Sequence, residues 1–232
     1  MGILVLVRHG ESRWNLDNRF TGWVDVPLSQ NGIREAERVA DYCQQFEYSA
    51  AFTSNLTRAQ ETLLIILARQ DLTGVFQHSN DYRHPDWIRR SNQPSVKDIP
   101  VYVSAELNER YYGSLQGLSK RAAEKKYGKD QVWAWRRGYE DHPPGGESLK
   151  ETQARVQPYL TKHILPRVRL GESVIVAAHG NTLRAVIKHL EGISDEDIAR
   201  VDLPEARPLV YHYRRGKFVR VEGDYQFSRP LR

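Results

Sequence analysis

Apolar and polar positions follow one another in blocks that predict strands and helices in turn. Leu4 to Val7 is an unbroken aliphatic run, the pattern of a strand buried on both faces inside a parallel sheet, and it stops at Arg8-His9-Gly10-Glu11-Ser12. The same design returns at Val174 to Ala178, which closes on His179-Gly180-Asn181. If the two strands are neighbours, His9 and His179 share one pocket beyond the carboxyl ends of the sheet, and Gly10 and Gly180 let the backbone approach a ligand. Helical spacing brings Ile33, Ala36, Val39, Ala40 and Cys43 to one face after a cap at Ser29. A second face follows at Ala59, Leu63, Ile66 and Leu67, and a third, longer one carries Leu149, Val156, Tyr159, Leu160 and Ile164, bent at Pro158.

Short strands are predicted at Ala50 to Thr53 and Val101 to Ser104, with a loop over Ser12 to Leu28 and a helix from about Thr182 to Leu190. Two short helices fall between Ser119 and Gly138, and a small acidic one is capped by Ser194. Leu209 to Tyr213 and Phe218 to Val221 alternate and read as an edge hairpin. Strands alternating with helices make the chain α/β, with residues 1–232 as a single domain. Residues 71–100 form a polar insertion, in which Trp87 and Ile88 are flanked by Arg89 and Arg90. It exceeds the length at which structureless loops are common.

Composition narrows the setting. The 232 residues are 40% hydrophobic and 27% charged, with mean hydropathy -0.63, as suits a globular chain, and no apolar run is long enough for a membrane span. The amino-terminal run is too short for a secretory signal, so a cytoplasmic setting is expected. One cysteine, Cys43, excludes an intramolecular disulfide and is expected on a buried helix face. A net charge of +5 suggests an anionic partner, yet the basic residues are interspersed with acids and carry no nucleic-acid motif. A homo-oligomer is compatible with these features.

The candidate chemistry is phosphoryl transfer. Arg8, Arg58, His9, His179 and a helix amino terminus place donors and positive charge around one point, which suits a tetrahedral anion. A neutral imidazole is a nucleophile, so His9 can take a phosphoryl group covalently, while a protonated His179 would stabilise charge on the transferring oxygens. Arginine neighbours repel a cation, so no metal is expected. Glu109, in a loop after a strand, is the candidate proton carrier, although a Glu beside Arg110 is also a common surface ion pair.

The run Leu4 to Ser12 with Trp14-Asn15 resembles the signature of the histidine phosphatase superfamily. Arg19 to Trp23, Leu107-Asn108-Glu109-Arg110-Tyr111-Tyr112-Gly113, Trp135-Arg136-Arg137-Gly138 and Ala177 to Asn181 are similar to its cofactor-dependent phosphoglycerate mutase branch. The resemblance implies a mostly parallel central sheet flanked by helices on both faces. It also implies that His9 is the phosphohistidine, primed by 2,3-bisphosphoglycerate, and that Glu109 is the proton donor and acceptor. Arg8, Arg58 and His179 would form the phosphate pocket. Substrate contacts are implied at Ser12, Asn15, Thr21, Gly22, Arg110, Tyr111, Tyr112, Lys120, Arg136, Arg137, Gly180 and Asn181. The implied substrate is a small phosphorylated acid, 3-phosphoglycerate or 2-phosphoglycerate. A phosphatase using the same phosphohistidine is the main alternative, and a non-catalytic anion or nucleic-acid binder is the other. Three departures from the branch are the 71–100 insertion, a short stretch between Gly138 and Glu147, and a short tail after Gly223.

Overall fold

In this computed structural model, residues 1–77, 97–222 and 226–227 are described. Seven strands form one sheet: β1 (Ile3–Arg8), β2 (Ala50–Thr53), β3 (Thr73–Phe76), β4 (Asp98–Val103), β5 (Ser173–Ala178), β7 (Pro208–Arg214) and β8 (Lys217–Glu222). Their order is β3-β4-β2-β5-β1-β7-β8. The first five in that order run parallel, β7 is antiparallel to β1, and β8 is antiparallel to β7. β6 (Val201–Asp202) and β9 (Gln226–Phe227) make a separate antiparallel pair.

Alternation along the two central strands divides the core. Leu4, Leu6, Val174 and Val176 face one side and pack with Leu149, Val156, Leu183 and Val186. Val5, Val7, Ile175 and Ala177 face the other, against Val39, Cys43, Leu63 and Ile66. Helices therefore cover both faces, which is why the central strands read as continuous apolar runs rather than alternating ones. Cys43 is buried, as its helical face requires.

Three expectations change. The polar insertion begins and ends in strand: β3 pairs with β4 in register from Thr73↔Asp98 to Phe76↔Val101. β3 is the sheet's edge strand and is only partly buried, so its sequence never acquires a strong apolar signal. Residues 78–96, including Trp87 to Arg90, lie outside the described residues, as does most of the tail. The loop after Ser12 contains a one-turn helix, Arg13–Leu16, closed by a reciprocal cap in which the Ser12 hydroxyl accepts from the Asn15 N–H and the Asn15 side chain accepts from the Ser12 N–H. The helix expected to bend at Pro158 runs on past it: Leu149–Tyr159 passes into a π-turn at Leu160–Ile164 and continues as Leu165–Arg169.

Candidate active site

Strands β1 and β5 are adjacent and parallel, and their register pairs Arg8 with Ala178. The sheet itself therefore delivers His9 and His179 side by side, one residue beyond the last pair. The His9 N–H donates to the Ala178 carbonyl at 3.0 Å, and the two imidazole rings meet edge to face with centroids 5.0 Å apart. Gly10 is required for a reason other than ligand approach. A Cβ there would lie 2.4 Å from the Gly32 carbonyl oxygen, so the strand exit and the Gln30–Cys43 helix meet backbone to backbone. At Gly180 a Cβ would project between Arg8 and Glu109, 3.5 Å from the Arg8 Nε. These are ordinary van der Waals distances, so packing alone does not exclude a side chain at this pocket position.

His9 is 3% exposed. Its Nδ1 lies 2.6 Å from the Gly10 carbonyl oxygen, which can only accept, so Nδ1 carries the hydrogen and Nε2 keeps its lone pair. Arg58 Nε donates to that Nε2 at 3.3 Å. Burial, then Arg58 and Arg8, hold the imidazole well below its ordinary pKa, so it is neutral and nucleophilic. His179 is fully buried and is lowered likewise by burial, Arg58, His9 and Arg8. Three arginines, Arg58, Arg8 and Arg155, and a desolvated pocket thus oppose the protonation that the sequence allowed for His179.

Arg58 is 1% exposed, so the first turn of the Thr57–Arg69 helix carries a buried cation rather than a solvated one. Its two terminal nitrogens donate to the Gly22 carbonyl at 2.7 Å and the Val24 carbonyl at 3.1 Å. Burial lowers its pKa to about 10, with Glu109 and Asp25 acting in the opposite sense. Arg8 is anchored by Glu205 at 2.9 Å and by the Leu203 carbonyl, which leaves its buried Nε without a partner among the described residues. Glu205 is raised by burial against the pull of Arg8.

Glu109 faces the same space. Its Oε1 accepts from the Arg110 N–H at 2.7 Å and from the Asn181 N–H at 3.1 Å, the latter in the first turn of the Gly180–Glu191 helix. The positive end of that helix thus steadies the carboxylate.

Away from His9, the pocket is lined by Asn15, Thr21, Gly22, Tyr112, Arg136, Arg137, Gly180 and Asn181, and also by Arg19, Phe20, Arg184, Asp202 and Leu203. Its cations are Arg8, Arg19, Arg58, Arg136, Arg137 and Arg184, six against the two carboxylates Glu109 and Asp202. That imbalance favours a multiply charged anion.

Five of the sequence-predicted residues stand outside this lining: His179, fully buried beside His9, and Arg110, Ser12, Tyr111 and Lys120. Arg110 is fully buried and donates to the Tyr112 hydroxyl and the Arg136 carbonyl, with Nε and Nη1 unpartnered among the described residues. Burial raises the Tyr112 phenol, but Arg110 and Arg136 outweigh it and leave the pKa lowered. Ser12 is spent on its helix cap. Tyr111 is exposed beside Trp23, their centroids 5.6 Å apart. Lys120 feels burial and Arg136, which lower it. The Arg136-Arg137 pair does more than end its helix: Arg137 reaches Asp202 at 3.1 Å and the Val201 carbonyl at 3.2 Å.

Sequence reasoning missed Ser54, Arg184, Asp202 and Glu205. Arg184 is buried on the helix that begins at Gly180, and its Nη1 donates to Asn181 Oδ1 at 3.0 Å. Its Nη2 donates to the carbonyls of Arg137 and Ile198. Burial, then Arg110 and Arg137, lower it to about 9. The one available signal was its spacing of three residues after Asn181 and four after Gly180, which puts it on the helix face that carries those two residues.

Among the described residues no group of His, Cys, Asp and Glu is arranged to hold a metal, and no helix is long and apolar enough to cross a membrane.

The model of the histidine phosphatase superfamily (branch 1) matches residues 4–79 and 91–223. A Methanosarcina acetivorans protein named 2,3-bisphosphoglycerate-dependent phosphoglycerate mutase is 45% identical over 249 aligned residues, covering 100% of each chain. A protein of the same name from Methanococcus vannielii is 45% identical over 213 residues and covers 91% of each. Among solved structures, a mycobacterial glucosyl-3-phosphoglycerate phosphatase in complex with VO3 superposes with a TM-score of 0.76 at 21% identity, covering 99% of this chain and 100% of that one. The alpha-ribazole phosphatase from Shigella flexneri gives 0.72 at 20% identity, over 97% and 96%. At such identities the structural likeness speaks for the fold, and the sequence relatives speak for the branch. This chain belongs to the histidine phosphatase superfamily, and within it to the family of the 2,3-bisphosphoglycerate-dependent phosphoglycerate mutases.

Proposed function

We propose that the protein interconverts 3-phosphoglycerate and 2-phosphoglycerate by passing a phosphoryl group through Nε2 of His9. The observation that carries this reading is a neutral histidine whose Nε2 lone pair, met by Arg58 Nε, lies in a pocket lined by six arginines, Arg8, Arg19, Arg58, Arg136, Arg137 and Arg184. The 45% identity to proteins named as such mutases supports it.

The residues present suit 2,3-bisphosphoglycerate. Buried donors without partners among the described residues, Arg8 Nε, Thr21 Oγ1 and Arg184 Nε, belong to residues of the pocket lining, as a multiply charged ligand requires. When bound, it supplies the phosphoryl group that primes His9.

The chain's own residues then have separable tasks. His9 accepts phosphorus on Nε2 as the bond from phosphorus to the glycerate oxygen breaks, with its ring held by the Gly10 carbonyl. Arg8, Arg58 and His179 surround the transferring oxygens and meet the charge that develops there. Glu109 gives a proton to the departing oxygen and takes one from the accepting hydroxyl, steadied in place by the Asn181 N–H. Arg136, Arg137 and Tyr112 with Asn15, Thr21, Gly22 and Asn181 hold the carboxylate and the distal phosphate. Arg110 and Lys120 add positive charge behind them.

The test is a time course with 3-phosphoglycerate, with and without 2,3-bisphosphoglycerate, following 2-phosphoglycerate and free phosphate together. Formation of 2-phosphoglycerate that is stimulated by the bisphosphate and outpaces phosphate release supports the reading. Phosphate release alone would replace it with a phosphatase. Because guanidinium groups supply the positive charge, the rate should survive exhaustive chelation, and recovery only on adding Mg²⁺ would contradict the mechanism.

A further inference from the structure

We propose that Ser54 is a positioning residue that fixes His179 in the tautomer with hydrogen on Nδ1, and so makes a neutral imidazole a hydrogen-bond donor to the transferring phosphoryl group. The inference deepens the reading of His9 and His179 as one phosphoryl pocket and rests on it.

Ser54 follows directly on β2, which is hydrogen-bonded to β5 in parallel register. It is fully buried, and the exits of the two strands are joined there: Thr53 Oγ1 donates to the Ala177 carbonyl at 2.9 Å, and Ser54 Oγ lies 2.7 Å from His179 Nε2. A serine hydroxyl has one hydrogen to give and two lone pairs. One lone pair is taken by the Leu56 N–H at 3.1 Å, a contact whose direction is unambiguous because a backbone nitrogen can only donate.

Two arrangements of the Ser54 and His179 pair remain. In the first, Nε2 carries the ring hydrogen and donates to Ser54. The hydroxyl then receives two N–H groups, and its own hydrogen is left in a fully buried place with no acceptor among the described residues. Nδ1, which is buried and unpartnered among the described residues, would present a lone pair in a site built for anions. In the second, Ser54 donates to Nε2 and the hydrogen sits on Nδ1. Every group is then paired except the Nδ1–H, the one donor left for a ligand oxygen. Buried polar groups are normally satisfied, which selects the second arrangement.

The contrast with His9 gives the choice its meaning. There the Gly10 carbonyl, an obligate acceptor, holds the hydrogen on Nδ1 and leaves a lone pair on Nε2 for attack on phosphorus. Two imidazoles 5.0 Å apart are thus set to opposite tasks, one by a main-chain carbonyl and one by a serine hydroxyl. Neither needs to be charged, which agrees with the neutral state that burial and the surrounding Arg58 and Arg8 favour for both.

The first measurement uses the full wild-type chain, labelled with ¹⁵N at histidine, in long-range ¹H–¹⁵N correlation spectra at neutral pH with and without orthovanadate. The His179 signals are assigned by their loss in His179→Gln. Protonated Nδ1 and bare Nε2 support the proposal, and hydrogen on Nε2 overturns it. This outcome is independent of whether a glycerate hydroxyl or water accepts the phosphoryl group, so it can fail while the proposed function stands. The second measurement is kinetic. Ser54→Ala should lower kcat for transfer about ten- to a hundredfold with KM nearly unchanged, the scale of losing one oriented donor, and should mix the two His179 tautomers. Ser54→Thr, which keeps the hydroxyl, should restore both. A Ser54→Ala enzyme with kcat within about twofold of wild type would overturn the proposal. If that variant does not fold, the wild-type spectrum decides alone.

Discussion

The two ends of the pocket are built by different means. At the reactive end, His9 and His179 stand one residue past adjacent strands, and β1 and β5 fix their spacing through main-chain hydrogen bonds. At the far end, Arg136, Arg137 and Tyr112 belong to a short helix and a loop held by side chains that grip carbonyls. Arg110 grips the carbonyl of Arg136, and Arg184 those of Arg137 and Ile198. The reactive end gains precision from the sheet, as in-line attack on phosphorus demands. The far end gains charge and donors on less rigid supports. That division suits a reaction in which the same phosphorus-transfer geometry must serve a ligand held in two orientations.

Removing the reactive end should cost most. His9→Ala should lose transfer and ester hydrolysis together, by about four orders of magnitude or more, because both run through the same nucleophile. Incubation with labelled 2,3-bisphosphoglycerate should give the wild-type chain an acid-labile, base-stable label and the variant none. Equal labelling of the variant would dissolve the distinction between the two ends.

Replacing Arg136 and Arg137 together with Ala tests the far end. Mutase turnover should fall about a hundredfold, the scale of losing a few kcal/mol of charge-assisted contacts, while hydrolysis of a simple phosphate ester changes far less. Steady-state rates on both substrates read the split. A parallel fall in both would mean that the pair serves the fold rather than the ligand. Arg137 alone should also lower thermal stability, since it joins its helix to β6 through Asp202 and Val201.

What was legible in the sequence divides along the same line. Apolar runs that stop at His9 and His179 announce strand ends, and strand ends are where an open α/β sheet keeps its ligands. Glu109, Arg136 and Arg137 were visible through the family motifs, and the structure brings all three to the pocket lining. Ser54, Arg184 and Glu205 were not visible. A serine after a short strand, an arginine on a helix and a glutamate in a loop are ordinary surface residues until tertiary packing buries them beside a partner far along the chain. β3 was lost for the converse reason. Pairing at the sheet edge holds it, and its residues show no hydrophobic period of their own.

Arg184→Met should have a smaller effect than the Arg136 and Arg137 pair. Removing it relieves the desolvation of a buried cation but strips donors from the Arg137 and Ile198 carbonyls and from Asn181 Oδ1. Three buried acceptors left unpaired outweigh the relief, so the chain should lose roughly 2–4 kcal/mol of stability. KM for phosphoglycerate should rise about tenfold, with kcat less affected, because the helix bearing Arg136 loses its tie to the one that begins at Gly180. Denaturant unfolding and steady-state kinetics measure the two effects separately. An unchanged KM would show that the far end is positioned without Arg184.

The smallest effect separates the ends through pH. Burial first, then nearby cations, hold His9 and His179 below the ordinary histidine pKa, whereas among the described residues no histidine lines the far end of the pocket. Between the lowered folded value and the unfolded value of about 6.5, the unfolded chain binds more protons than the folded one. Stability contributed by these rings is therefore complete above about pH 6.5 and declines as pH falls toward the folded values. Each ring can contribute up to roughly 1.4 kcal/mol per pH unit across that window. His189 and His212 are also lowered, by burial first and by Arg169 and Arg214, and supply a background common to every variant. Thermal unfolding followed from about pH 8 to 5 should show a shallower acid slope in His9→Gln with His179→Gln than in wild type, and an unchanged slope in Arg136→Ala. Saturating inorganic phosphate should flatten the wild-type slope as well, because an anion between the rings raises both pKa values. If the double variant kept the full slope, acid sensitivity would originate outside the reactive end, and the neutral state assigned to both imidazoles would lose its support.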